Sequence, residues 1–134
     1  MMKRLIILTT LIVLTGCSWF SPPKYDGNEY FFFAELETHA RFLTEECDYP
    51  ELAKKRIESM MFRSETLQAY SYYLPHSSEL YGSSKIINSQ LVELRTRYLG
   101  EVPPSVTYCK IKAGTLIKEI RRILTTAGRL QELQ

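Results

Sequence analysis

Apolar residues recur along most of the chain at spacings of three and four, and proline or glycine interrupts the pattern at a few points. The first such stripe is Phe33, Leu36, Ala40, Leu43 and Cys47. That spacing puts all five on one face of a helix. Asn28 is expected to cap it, with Glu29 in its first turn. The segment Asp48-Tyr49-Pro50-Glu51 restarts the pattern: Asp48 as cap, Pro50 in the first turn and Glu51 placed for a capping box. A second stripe follows at Ala53, Ile57, Met60, Ser64, Leu67, Ser71 and Leu74, and Pro75 ends it. Ser77 or Ser78 is the expected cap of a third helix with the stripe Leu80, Ser84, Ile87, Leu91, Leu94 and Tyr98. Gly100 suits its stop. After the connector Glu101-Val102-Pro103-Pro104, Ser105 is placed to cap a fourth helix. Its stripe is Cys109, Ala113, Leu116, Ile120, Ile123, Ala127 and Leu130.

No stretch alternates long enough to predict a strand, and no internal repeat is evident. Four amphipathic helices with short connectors predict an all-α domain, an antiparallel four-helix bundle over residues 28–134. In that topology Cys47 ends the first helix and Cys109 starts the last. Both then lie at one end of the bundle, on adjacent antiparallel helices and on the apolar stripes. A disulfide between them is expected. Closing a loop of about 60 residues is worth ~4 kcal/mol in the chain-entropy model. That matters to a core with Ala40, Ala53, Ser64, Ser71 and Ala113 at stripe positions.

The N-terminal stretch follows a different pattern. Lys3 and Arg4 precede the apolar run Leu5 to Leu14, which is too short to span a hydrocarbon core of about 30 Å. Basic residues, a short greasy core and small residues in that order predict a signal peptide. It ends in Leu14-Thr15-Gly16-Cys17, which resembles the lipobox of bacterial lipoproteins. The resemblance implies cleavage before Cys17, diacylation of its sulfur and acylation of its amine. Ser18, where an aspartate would favour retention in the inner membrane, implies the outer membrane, facing the periplasm, in a Gram-negative host. Residues 1–16 are thus expected to be a signal peptide. Residues 17–27, with Trp19, Phe20, Pro22, Pro23 and Gly27, are expected to be a lipidated cysteine and tether. Trp19 and Phe20 are expected at the headgroup level, where aromatic rings are favoured. An exported chain meets an oxidising compartment, which agrees with a closed disulfide.

Charge narrows the choice of partner. The whole chain has 17 Lys and Arg against 15 Asp and Glu, and Lys3 and Arg4 leave with the signal peptide. The balanced remainder offers no general basic field for nucleic acid. The first helix and the turn after it are acidic, with Glu29, Glu35, Glu37, Glu45, Glu46, Asp48 and Glu51 against Arg41. The fourth is basic, with Lys110, Lys112, Lys118, Arg121, Arg122 and Arg129 against Glu119 and Glu132. The two faces are expected to balance each other, although the basic one could also meet a membrane or an acidic partner.

Candidate chemistry is sparse. His39 lies one turn after Glu35, which is at most half a metal site. There is no glycine-rich phosphate loop and no distinctive serine motif near either histidine. Neither enzymatic activity, nor a cofactor, metal or small-molecule substrate is expected.

Aromatic residues crowd one end. Tyr30, Phe31, Phe32 and Phe33 open the first helix, Tyr70, Tyr72 and Tyr73 close the second, and Tyr81 opens the third. Neighbours on a helix are about 100° apart, so they cannot all face the core. Phe31, Phe32, Tyr72, Tyr73 and Tyr81 are expected to line a tether-proximal surface that receives a partner.

Taken together, the lipobox, the four helices and the cysteines resemble the type II secretion pilotins. In one group of these small outer-membrane lipoproteins a disulfide joins the end of the first helix to the start of the last, and Leu36 to Cys47 and Tyr108-Cys109 stand in those places. The resemblance implies a non-catalytic module that cradles an apolar helix of an envelope protein. The alternative is a lipoprotein of a phage or plasmid that blocks superinfection or entry by occluding an envelope receptor.

Overall fold

A computed structural model describes residues 26–75 and 78–132. The expected signal peptide, the acylation site Cys17, the tether up to residue 25 with Trp19 and Phe20, the proposed cap Ser77 and the side chain of Ser78 lie outside the described residues. The described chain forms four helices: α1 (Gly27–Glu46), α2 (Pro50–Tyr73), α3 (Ser78–Tyr98) and α4 (Val106–Glu132). They pack antiparallel, as the hydrophobic pattern predicts. Among the described residues no helix is long and apolar enough to cross a membrane.

Two caps differ from the expectation. Asp26, not Asn28, caps α1: its Oδ1 accepts from the backbone N–H of Asn28 and of Glu29, each at 2.9 Å. Asn28 falls instead in the first turn, where its amide donates to the Tyr70 hydroxyl at 3.0 Å. The apolar period cannot locate this cap, because the first apolar stripe position lies a full turn inside the helix. At α2 the cap position is Tyr49, which makes no side-chain cap bond, and Pro50 opens the helix. Asp48 lies one position too early to cap, and its carboxylate reaches Lys110 on α4 at 3.0 Å. The Ser105 cap stands, since its Oγ accepts from the N–H of Tyr108 at 3.2 Å.

Every stripe position of α1 is buried, and so are those of α2 up to Ser71. The outer stripe positions Leu74, Leu80, Ile123 and Leu130 are half-buried. Met61 is a buried residue that the three-and-four pattern leaves out. Glu29 is a second departure. It is fully buried at the head of α1, where Ser71 Oγ donates to its carboxylate at 2.5 Å.

Helix α1 packs against α2 and α4, and α2 also packs against α3. The ring closes through the α3–α4 seam, which is the least extensive of the four. Cys47 and Cys109 form the expected disulfide, with Cα atoms 5.7 Å apart. This pairing sets the register of α1 against α4. Counting back along α1 and forward along α4, Leu43 comes level with Ala113, and Ala40 with Leu116. A large side chain thus meets a small one at each level, and all four are buried. Such alternation lets two helices approach closely without voids.

Candidate functional site

The two seams of α4 are built differently. Between α3 and α4, the half nearer the disulfide is closed by polar contacts. Glu93 accepts from Lys112 Nζ at 2.8 Å and from the Tyr108 hydroxyl at 3.2 Å. Gln90 donates to Glu119 at 2.6 Å. The Lys112 ammonium beside Glu93 holds that carboxyl below its ordinary range. Beyond Glu119 the seam opens into a cleft of about 280 Å³. Leu80, Ile86, Ile87 and Ile123 supply its apolar surface, and Glu79, Glu119 and Arg122 stand among its polar lining. Ser84, at a core position of α3, is fully buried and does not line the cleft; its hydroxyl turns back to its own helix, donating to the Tyr81 carbonyl at 2.7 Å.

The cleft begins in the first turns of α3, at the end of the bundle where α1 starts and α2 finishes. The aromatic residues gather at this end, in two groups. Phe32 packs against the core and stacks near Tyr70, with ring centroids 5.6 Å apart, and Phe31 meets Phe32 edge-on. Tyr72 touches both Tyr73 and Tyr81, at 5.1 and 5.7 Å. Lys85 lies over the Tyr81 ring. The five expected binding residues therefore divide. Phe32 and Tyr81 are half-buried and committed to neighbouring rings. Phe31, Tyr72 and Tyr73 are 62%, 65% and 82% exposed. The apolar cleft beside them is lined by other residues, and Ile86 and Ile123 had carried no functional reading. The signal for it in the sequence is Ile86, a large apolar residue of α3 outside the three-and-four stripe.

The opposed charges of α1 and α4 do meet. Arg121 Nε donates to Glu37 at 2.7 Å, Arg41 donates to the same carboxylate, and Lys110 reaches Asp48. Burial alone would raise the Glu37 carboxyl, but the hydrogen bonds from Arg121 and Arg41 outweigh it and hold the group below its ordinary value. Among the described residues, Lys118, Arg122 and Arg129 have no ion pair, so half of the basic strip of α4 is left to solvent.

His39 is absorbed into the α1–α2 seam. Arg56 donates to its Nδ1 at 2.9 Å and forms a two-pronged pair with Glu46, while Arg63 pairs with Glu35. Burial, then the charges of Arg63 and Arg56, push the imidazole below its usual pKa. Glu35, the other half of the suspected metal pair, is thus engaged by Arg63. Among the described residues no three His, Cys, Asp or Glu side chains come together as metal ligands would.

The chain matches no described protein family, and no characterised protein or solved structure is similar to it.

Proposed function

We propose that the protein is a non-catalytic binding module, anchored by acylated Cys17 to the outer membrane and facing the periplasm, that takes an apolar helix of an envelope protein as the pilotins do. The observation that carries this reading is the cleft between α3 and α4. It is open, about 280 Å³ in volume, and walled by Leu80, Ile86, Ile87 and Ile123. Two or three large aliphatic side chains from one face of a helix would fill such a space, the usual helix-in-groove mode. Glu79, Glu119 and Arg122 offer charged partners of both signs to the flanks of that helix. The disulfide and the tight α1–α4 seam supply a rigid back to the groove, so little ordering cost falls on binding. The lipobox supports the location.

A photo-crosslinking residue placed at Ile86 tests the reading in intact envelopes. Ile86 is exposed, so the replacement leaves the core alone. One envelope protein should be captured, through a segment with an apolar stripe of helical period, and Ile86→Glu should abolish capture of the same protein by a crosslinker at Ser83. Crosslinks only to lipid, or none, would end the proposal.

A further inference from the structure

We infer that the tether-proximal end of the bundle is a membrane-contact surface: Phe31, Tyr72 and Tyr73 rest in the headgroup region of the bilayer that holds Cys17. This rests on the lipoprotein reading above. Three observations place lipid, and not protein, on these rings.

The first is the length of chain outside the structure. Residues 18–25 alone separate Cys17 from Asp26, so at 3.3–3.6 Å per residue the start of α1 can stand at most about 30 Å from the acylated sulfur. Helix α2 has 24 residues and is about 36 Å long. The tether is therefore shorter than the bundle, and it brings this end, not the disulfide end, to the membrane.

The second is side-chain type. Two of the three exposed rings are tyrosines, which pair an apolar body with a polar tip. Such rings concentrate at membrane–water interfaces. The same end has inner rings that brace the outer ones: Phe32 and Tyr70 beside Phe31, and Tyr81 beside Tyr72. Rings held in place by neighbours lose little side-chain entropy when they insert.

The third is charge. Arg129, in the last turn of α4, lies at this end and has no ion pair among the described residues. Lys85, on the adjacent helix α3, reaches over the Tyr81 ring one turn before it. Both can meet lipid phosphates. Asp26 does not oppose them at the surface, because its carboxylate is occupied in capping α1 and accepting from the Tyr70 hydroxyl. Exposed Glu79 and Glu132 do carry the opposite sign, so the rings and not the charges are the main contribution. Docked this way, the bundle presents the open end of the α3–α4 cleft close to the membrane surface.

The test uses the full lipidated chain, purified from membranes and reconstituted in phosphatidylethanolamine–phosphatidylglycerol vesicles whose acyl chains are brominated or not. Trp19 is the single tryptophan. In a Trp19→Phe background, Tyr73→Trp, Phe31→Trp and Val102→Trp each report one position. All three are well exposed, and Val102 is 81% exposed at the disulfide end. Emission from Tyr73→Trp and Phe31→Trp should shift to the blue and fall by half or more with brominated lipid, while Val102→Trp stays unchanged. If lipidated protein shows no quenching at Tyr73→Trp, the docking is overturned and the anchor stands. Equal quenching at Val102→Trp also overturns it. If emission shifts only in intact envelopes and not in vesicles, a protein covers the patch and the lipid assignment falls. The acyl mass on Cys17 is measured on the same sample. Protein without acyl groups that is nevertheless quenched on adding vesicles would support the surface while removing the anchor; protein neither acylated nor quenched would overturn both.

Discussion

Against α1, helix α4 is fastened by a disulfide, by Arg121–Glu37 and Lys110–Asp48, and by large side chains facing small ones. Against α3 the same helix is held by polar bonds over half its length and parts from its neighbour over the rest. Near the disulfide the tight seam is filled, and it opens only beside Tyr30, toward the last turns of α4. The loose one exposes Leu80, Ile86 and Ile123 on walls that the other helices keep in place. The contrast teaches that rigidity and an open apolar site need not compete within one small domain. A covalent clip and close packing on one side let the other side remain incompletely filled.

The sharpest way to break the contrast is to cut the clip. Cys47→Ser should lower the stability of the oxidised protein by about 4 kcal/mol, and Cys109→Ser should do the same. Their combination should add almost nothing, because a single bond is lost either way. Denaturant midpoints of the three variants, taken without reductant, would show it; additive losses would mean that the thiols act separately.

Next come two substitutions of the same kind with opposite signs. Ala113→Leu puts a large side chain level with Leu43 in the filled seam, and it should cost about 1–3 kcal/mol by overpacking. Ser83→Leu puts one into the cleft, where apolar area is still open to water, and should stabilise by up to ~1 kcal/mol. The second variant should also lose the captured partner, since it occupies the partner's place. Thermal melts decide the pair. Equal losses at both positions would mean that the two seams are packed alike.

The smallest effect expected is a change of pH slope in the α1–α2 seam. Burial and the neighbouring guanidinium groups of Arg63 and Arg56 hold folded His39 below its ordinary pKa, against Glu35 and Glu46, which pull the other way. As pH falls through about 6.5, the unfolded chain takes up a proton there before the folded one does. Stability therefore falls from that pH down to the depressed folded value. His39→Gln should flatten this slope between pH 7.5 and 5.5, measured as the change in urea midpoint. An unchanged slope would place the titration on other groups.

Periodicity alone located all four helices and nearly the whole core, because each stripe has to bury one face and α-helical geometry permits one arrangement of it. The disulfide was legible for the same reason: two cysteines on apolar stripes, at the end of one helix and the start of another, meet once the helices run antiparallel. The opposite charges of α1 and α4 announced their adjacency as well. Asp26 escaped notice because a cap is decided by backbone geometry outside the periodic segment. Burial of Glu29 was hidden too, since its partner Ser71 lies in a distant part of the chain and only the packed bundle brings them together.

The aromatic end was visible as a crowd, but not its division into rings that brace and rings that face solvent. That division depends on which neighbour each ring meets across helices, a matter of angle around the helix axis to which a spacing of three or four is blind. The cleft was less legible still. Composition and pattern determined that α3 and α4 would each be amphipathic; how far apart they stand was decided by the summed packing of the other three seams. An empty volume belongs to no residue, so it arises only when the helices are assembled.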